Sequence, residues 1–235
     1  MATTPFTTVP GNPHLAGPPL LRGAPLADAG LVVYAVHGRG QGPGFMVEQY
    51  ERVNLPGVTW VIPGADHDTW YPSGFMAPLS ENQPRLDHAL DTVRTHLADL
   101  ARAGWASRDV VLFGFSQGAC LLSEYLLRDQ PSCAGAFLHT GGHLGPEARQ
   151  WSAVPGTGLP GTEIVLLCAE RDEFVPLART EQTAGALASL GARIEYTTYD
   201  DPLHHLNEDS VVRLRRMLRT RLLERVEMVA DPPKS

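Results

Sequence analysis

Basic charge is in short supply in this sequence. Nineteen Lys and Arg stand against 26 Asp and Glu over 235 residues, a formal net charge of −7. A general nucleic-acid binder needs a basic electrostatic footprint, so that class is set aside. Cysteine is scarce as well, and its three copies, Cys120, Cys133 and Cys168, are odd in number and lie in or beside apolar runs. They read as free, mostly buried thiols rather than a disulfide framework, which points to a reducing compartment. No apolar run approaches the roughly 18 residues of a membrane span, so no stable membrane insertion is expected. The first residues, MATTPFTTVPGNPHLAGPP, have neither a basic start nor a continuous apolar segment and do not read as a secretory signal. These absences lead to the expectation of a cytoplasmic protein. Residues 1–20 should be poorly ordered or packed at an edge, residues 21–228 should form one domain, and residues 229–235 a tail.

What is present is an alternation of short β-rich runs and longer helical ones. LVVYAV (31–36) is continuously apolar and stops at glycines, as a strand buried on both faces does, and VTWVIP (58–63) repeats the pattern. From Asn82 to about Ala103, Leu86, Leu90, Val93, Leu97 and Leu100 recur every three or four residues, an amphipathic helix closed by Gly104. Strand 109–115, helix 117–129, strands 134–140 and 163–169, helix 176–190, strand 192–199 and an arginine-rich helix from about 207 follow. In that last helix Val211, Leu214, Leu218 and Leu222 mark the inner face, and the arginines decorate the solvent side. Residues 141–162, rich in Gly and Pro, read as a surface excursion. Strands separated by helices require parallel crossovers, so the fold class is α/β, a mainly parallel central sheet with helices on both faces. Ligands in such sheets sit outside the carboxyl ends of the strands, and chemistry-bearing residues should follow the strands directly.

Gly114-Phe115-Ser116-Gln117-Gly118 does so. It matches G-x-S-x-G between a strand and a helix, where a tight turn needs glycine on both sides of the serine because a side chain there meets neighbouring backbone. The turn lifts the Ser116 hydroxyl to a helix N-terminus, a place that favours developing negative charge. A nucleophile of this kind needs a base, and the base an orienting acid, in the chain order serine, acid, histidine. Asp172 follows strand 163–169, flanked by Glu170 and Glu173, either of which could take its place. His204 and His205 follow strand 192–199, and sequence physics does not choose between them. Asp200 and Asp201 read as turn residues. For the oxyanion, the N–H of Gln117 is one donor, and the loop His37-Gly38-Arg39-Gly40 offers the N–H of Arg39 as the other. The Arg39 side chain is expected in solvent, and His37 is expected to tie down its loop. His14, His88 and His96 read as surface positions, and His67, His139 and His143 as loop or packing residues.

HGRG (37–40), WYPSGFMAP (70–78), GFSQG (114–118), RDEFVP (171–176) and PLHHLNED (202–209), in that order, resemble the phospholipase/carboxylesterase family of α/β-hydrolases, the group that includes acyl-protein thioesterases and small bacterial esterases. The resemblance covers nearly the whole chain from about residue 20. It implies an α/β-hydrolase fold with Ser116 as nucleophile, Asp172 as acid and His204 as base, because the loop usually reads histidine, one variable residue, an aliphatic residue and a polar residue opening the helix. Trp70 and Tyr71 would then border the acyl pocket, with a purely packing role for the pair left open. The residues before the histidine, Asp200, Asp201, Pro202 and Leu203, depart from the family's usual glycine or methionine. The implied activity is hydrolysis of small-molecule carboxylic esters through an acyl-enzyme, with thioester hydrolysis and a catalytically silent binding protein as the alternatives. No cofactor is expected: HGRG lacks the glycine pattern and lysine of a phosphate cradle, and the cysteines are too widely spaced for a zinc site. A homodimer is compatible with the chain.

Overall fold

The computed structural model describes residues 5–230. Seven strands, β1 (Leu20–Gly23), β2 (Leu31–Val36), β3 (Val58–Ile62), β4 (Val110–Phe115), β5 (Gly135–His139), β6 (Glu163–Ala169) and β7 (Arg193–Tyr199), form one sheet in the order β1-β3-β2-β4-β5-β6-β7. Only β1 runs antiparallel, pairing Leu20 with Ile62 and Gly23 with Thr59. All the other neighbours are parallel, as the intervening helices demand.

Helices α1 (Gly42–Val53), α2 (Arg85–Arg102), α3 (Gln117–Asp129), α4 (Leu177–Ser189) and α5 (Glu208–Ala230) cover both faces. Alternation along the strands sorts the core into two layers. Val32, Tyr34, Val36, Leu112, Leu138 and Leu166 face one way, against Leu86, Leu90 and Val93 of α2, Leu122 and Leu126 of α3 and Leu187 of α4. Leu31, Val33, Ala35, Val111, Phe113 and Phe137 face the other, against Met46 and Val53 of α1 and Val211, Leu214 and Leu218 of α5. The strands buried on both sides are those that read as unbroken apolar runs. The doubly covered, mainly parallel sheet is the arrangement expected of an α/β-hydrolase fold.

Two elements carry little sequence signal. α1 begins Gly-Pro-Gly, which reads as a turn; it is helical because Met46 and Val53 are fully buried beneath the sheet. β1 is four exposed residues stitched to β3 by backbone pairing rather than by burial.

Several expectations are corrected. His14 and His96 lie in the interior, 3% and 1% exposed, because the N-terminal stretch folds across α2 and covers them. Phe6 and Leu15 are buried there, the Thr7 N–H donates to Asp99 Oδ2 at 2.7 Å, and Asn12 Nδ2 donates to His88 O at 2.8 Å. Residues 1–4 and 231–235 lie outside the described residues, and α5 continues through Ala230, past the expected start of a tail at 229. The α5 arginines are not simply solvated. Arg213 and Arg216 pair with Glu195, Arg215 donates to Val53 O, Arg221 pairs with Glu163, and Arg225 pairs with Asp109 while lying over the Trp105 ring. Carboxylates at the strand starts face this helix and draw the guanidinium groups onto the protein. Within 141–162 no regular element forms, yet Gly141–Gly145 are buried against α3 and α4, so that part is interior packing.

Candidate active site

β4 ends at Phe115 and α3 begins at Gln117, leaving Ser116 alone to make the turn. Its backbone sits at φ +52°, ψ −118°, outside the regions that L-residues favour. Such strain costs on the order of 1–3 kcal/mol and persists where the surroundings impose it. The flanking glycines show what imposes it: a Cβ on Gly118 would lie 2.1 Å from Val36 O, and one on Gly114 2.7 Å from Ala119 Cα. The Ser116 hydroxyl makes no capping bond to its own helix. It lies instead 2.7 Å from His204 Nε2.

On the other side of that ring, His204 Nδ1 lies 2.7 Å from Asp172 Oδ2. The second carboxylate oxygen, Oδ1, accepts the N–H groups of Phe174 at 2.9 Å and Val175 at 2.8 Å. Burial alone would raise the Asp172 carboxyl, but the hydrogen bond to His204 and those two N–H donors outweigh it and hold the group below its ordinary value. The neighbouring acids are engaged elsewhere: Glu170 accepts from Thr198 Oγ1 and Glu173 is exposed. His205 points away and pairs with Asp201 at 2.7 Å. The His204 loop is braced from below, where Asn207 Oδ1 accepts the Ser210 N–H at 2.9 Å and opens α5, and the Ser210 hydroxyl lies 2.8 Å from His139 Nε2. His139 is fully buried, which pushes its imidazole down to about 3 and keeps it neutral beside His204.

A cavity of about 400 Å³ opens over this row, lined by Arg39, Gln41, Tyr71, Phe75, Cys120 and Phe174 together with Ser116, Gln117 and His204. Phe174, 61% exposed, meets the His204 ring edge-on at 4.9 Å between centroids. Burial pushes the Cys120 thiol up to about 12, so it is a neutral part of the wall.

Trp70 does not line this cavity, contrary to the expectation that it borders the pocket alongside Tyr71. It is fully buried behind the wall, with Nε1 donating to His37 O at 2.9 Å, because the indole fills the space between the His14 and His37 rings. Arg39 is exposed, as expected, yet its side chain is held in place. Its guanidinium donates to the carbonyls of Tyr71, Pro72 and Ser73 at 3.0, 2.7 and 2.6 Å, three acceptors that converge on it. His37 ties its loop as expected, with Nδ1 2.7 Å from Gly38 O and Nε2 accepting the Ala65 N–H at 3.1 Å.

Sequence reasoning missed the side chain of Gln117. Its Oε1 accepts the Trp70 N–H at 3.0 Å and its Nε2 donates to Tyr71 O at 2.9 Å, clamping the pocket wall to the turn. The Gln117 N–H, at the first position of α3, has no carbonyl of its own helix to bond. Among the described residues, no acceptor is paired with the Arg39 N–H either. The arrangement can therefore polarise a hydroxyl through a histidine and an acid. Among the described residues no cluster of His, Cys, Asp and Glu is suited to a metal ion, and no helix is long and apolar enough to cross a membrane.

Comparison with known proteins bears on the family and the fold. A phospholipase/carboxylesterase from Dyadobacter fermentans DSM 18053 is 28% identical and superposes with a TM-score of 0.77, over 85% of this chain and 95% of its own. The Bacillus cereus carboxylesterase shares the fold at 16% identity and a TM-score of 0.68, over 86% of this chain and 93% of its own. No protein of curated function matches the chain in sequence. The sequence profile of the phospholipase/carboxylesterase family matches residues 26–222, and the chain belongs to that family of hydrolases.

Proposed function

We propose that the protein is a serine carboxylesterase acting on small carboxylic esters. The observation that carries this reading is the unbroken row from Asp172 through His204 to Ser116, two contacts of 2.7 Å, at the floor of an open cavity. In the proposed cycle Ser116 Oγ attacks the ester carbonyl carbon while His204 Nε2 takes its proton. The carbonyl oxygen becomes an oxyanion between the N–H groups of Gln117 and Arg39, stabilised at the N-terminus of α3. The tetrahedral centre collapses, the C–O bond to the alcohol breaks, and His204 returns the proton to the departing alkoxide. Water then attacks the acyl-enzyme by the same route in reverse order and releases the carboxylic acid.

Asp172, held ionised, fixes the His204 tautomer with its hydrogen on Nδ1 and stabilises the imidazolium that forms. The Phe174 ring at the mouth offers an apolar surface for the alcohol portion, and Tyr71, Phe75 and Cys120 wall the cavity. The test is a panel of p-nitrophenyl esters and acyl thioesters of increasing chain length, with Ser116→Ala as the blank. Turnover of short esters that is absent from the blank is expected; hydrolysis confined to thioesters, or equal in the blank, would overturn the reading.

A further inference from the structure

The N-terminal stretch reaches the site through one side chain. His14, 3% exposed, lies under the loop that follows β3. Its Nδ1 accepts the Asp66 N–H at 3.0 Å, so in the neutral ring the hydrogen is on Nε2, which donates to Trp70 O at 3.1 Å. One imidazole thus spans both ends of the turn from residue 66 to residue 70. His37 does the matching task from the opposite side, accepting the N–H of the adjacent Ala65, and the Trp70 ring lies between the two imidazoles at 5.3 and 5.1 Å.

The turn held in this way grips both residues proposed to receive the oxyanion. The Gly40 N–H donates to Asp68 O at 2.7 Å, which fixes the peptide directly after Arg39. The Arg39 guanidinium is held by the carbonyls of 71, 72 and 73, and the Gln117 side chain is clamped to Trp70 N and Tyr71 O. His14 itself lies outside residues 26–222, the stretch that the family profile matches. We infer that His14 is a positioning residue: from an N-terminal arm it sets the turn at 65–73, and through it the backbone donors of Arg39 and Gln117. The inference rests on the esterase reading for its kinetic consequence and on the structure alone for the turn. Donors of this kind act on charge that exists only in the transition state, so their misplacement lowers kcat and leaves KM nearly unchanged.

The experiment compares His14→Leu, which removes both hydrogen bonds, with His14→Gln, whose amide can accept from Asp66 and donate to Trp70 as the imidazole does. On a short p-nitrophenyl ester, His14→Leu is expected to lose about tenfold or more in kcat with KM within about threefold, short of the roughly 10²–10³-fold lost when an oxyanion donor is deleted outright. His14→Gln is expected to recover to within about threefold of wild type. Thr7→Ala loosens the same arm at Asp99, away from the turn, and is expected to lower Tm without changing kcat. An unchanged kcat in folded His14→Leu, a loss confined to KM, or a glutamine variant as poor as leucine would each overturn the inference. If the leucine variant does not fold, His14→Asn, polar but too short to reach both backbone groups, takes its place with the same expected split. Amide hydrogen exchange at Gly40, Asp66 and Trp70 reads the turn without any substrate. Faster exchange in the variant supports the positioning role even if the wild type hydrolyses no ester, a result that would sink the esterase reading alone, and unchanged exchange overturns the role.

Discussion

His205 Nε2 lies 2.7 Å from Asp201 Oδ2 at the surface, while the preceding His204 bridges Ser116 and Asp172. Adjacent side chains on an extended loop diverge, so one imidazole enters the row and the other caps its own turn. His204→Ala is expected to lose roughly 10³-fold or more in kcat/KM, and His205→Ala to stay within a few-fold of wild type. Kinetics of both variants on one short-chain ester, after circular dichroism has shown that they fold, decide the matter; the opposite ranking would assign the base to His205.

Ser116→Ala removes the attacking oxygen and little volume. Turnover should fall by about 10⁶-fold, as related triads do when the serine is lost, with Tm nearly unchanged, since alanine leaves the core packing intact and Ser116 makes no helix-capping bond. Burst-phase and steady-state assays check the first part and thermal denaturation the second; activity within about tenfold of wild type would exclude Ser116 as nucleophile.

The pH profile follows from the same row. His204 must be neutral to accept the serine proton, so kcat/KM should rise with pH along an acid limb of unit slope. Asp172 stays ionised across that limb because its carboxyl is held below the ordinary value, and contributes no second break. A slope of two, measured on a substrate whose chemistry is rate-limiting, would show that a further group must also lose its proton.

The parts of this site legible in the sequence are those with strong local constraints. The apolar runs of β2, β3 and β4 show because both faces of the sheet are buried, and the turn at Ser116 shows because Val36 O and Ala119 leave room only for glycine on either side. Asparagine is among the residue types that favour helix N-caps, and Asn207 Oδ1 accepts the Ser210 N–H at the start of α5. What stayed hidden depends on contacts distant in sequence. Trp70 looks like a pocket aromatic until His14 and His37 are found on either side of it, and His14 and His96 look exposed until the N-terminal stretch is laid across α2. α1 escaped notice because its Gly-Pro-Gly start carries turn chemistry while its helical state is set by Met46 and Val53 packing under the sheet.

Gly118→Ala tests the turn's crowding. The added methyl would meet the Val36 carbonyl oxygen at 2.1 Å, backbone at the end of β2 that cannot swing aside as a side chain can. Overpacking of this kind costs typically 1–3 kcal/mol and more where backbone must shift. A Tm drop of several degrees with a large loss of kcat is expected from scanning calorimetry and assay; a variant as stable and active as wild type would show that α3 is free to move away from the sheet.

Acid should destabilise the fold well before the carboxylates titrate. Burial lowers the imidazoles of His14 to about 4, His96 to about 4 and His139 to about 3, against about 6.5 in the unfolded chain. At His14 the Arg85 guanidinium adds to the effect, and at His139 so does His204. The unfolded state therefore binds more protons than the folded one at any pH between these values, and stability must rise with pH there. Each histidine contributes fully above about pH 6.5, and its contribution is lost as pH falls toward its folded value, at up to about 1.4 kcal/mol per pH unit. Three together approach a slope of roughly 4 kcal/mol per unit. Urea unfolding at half-unit steps from pH 7.5 to 4.5 should give a flat stability above about 7 and a steep fall below 6. His14→Gln, with no titrating group at that position, should lessen the slope. A stability that stays level from pH 6.5 to 5 would mean that these imidazoles accept protons in the folded protein as readily as in the unfolded chain, and that their burial is relieved by local opening.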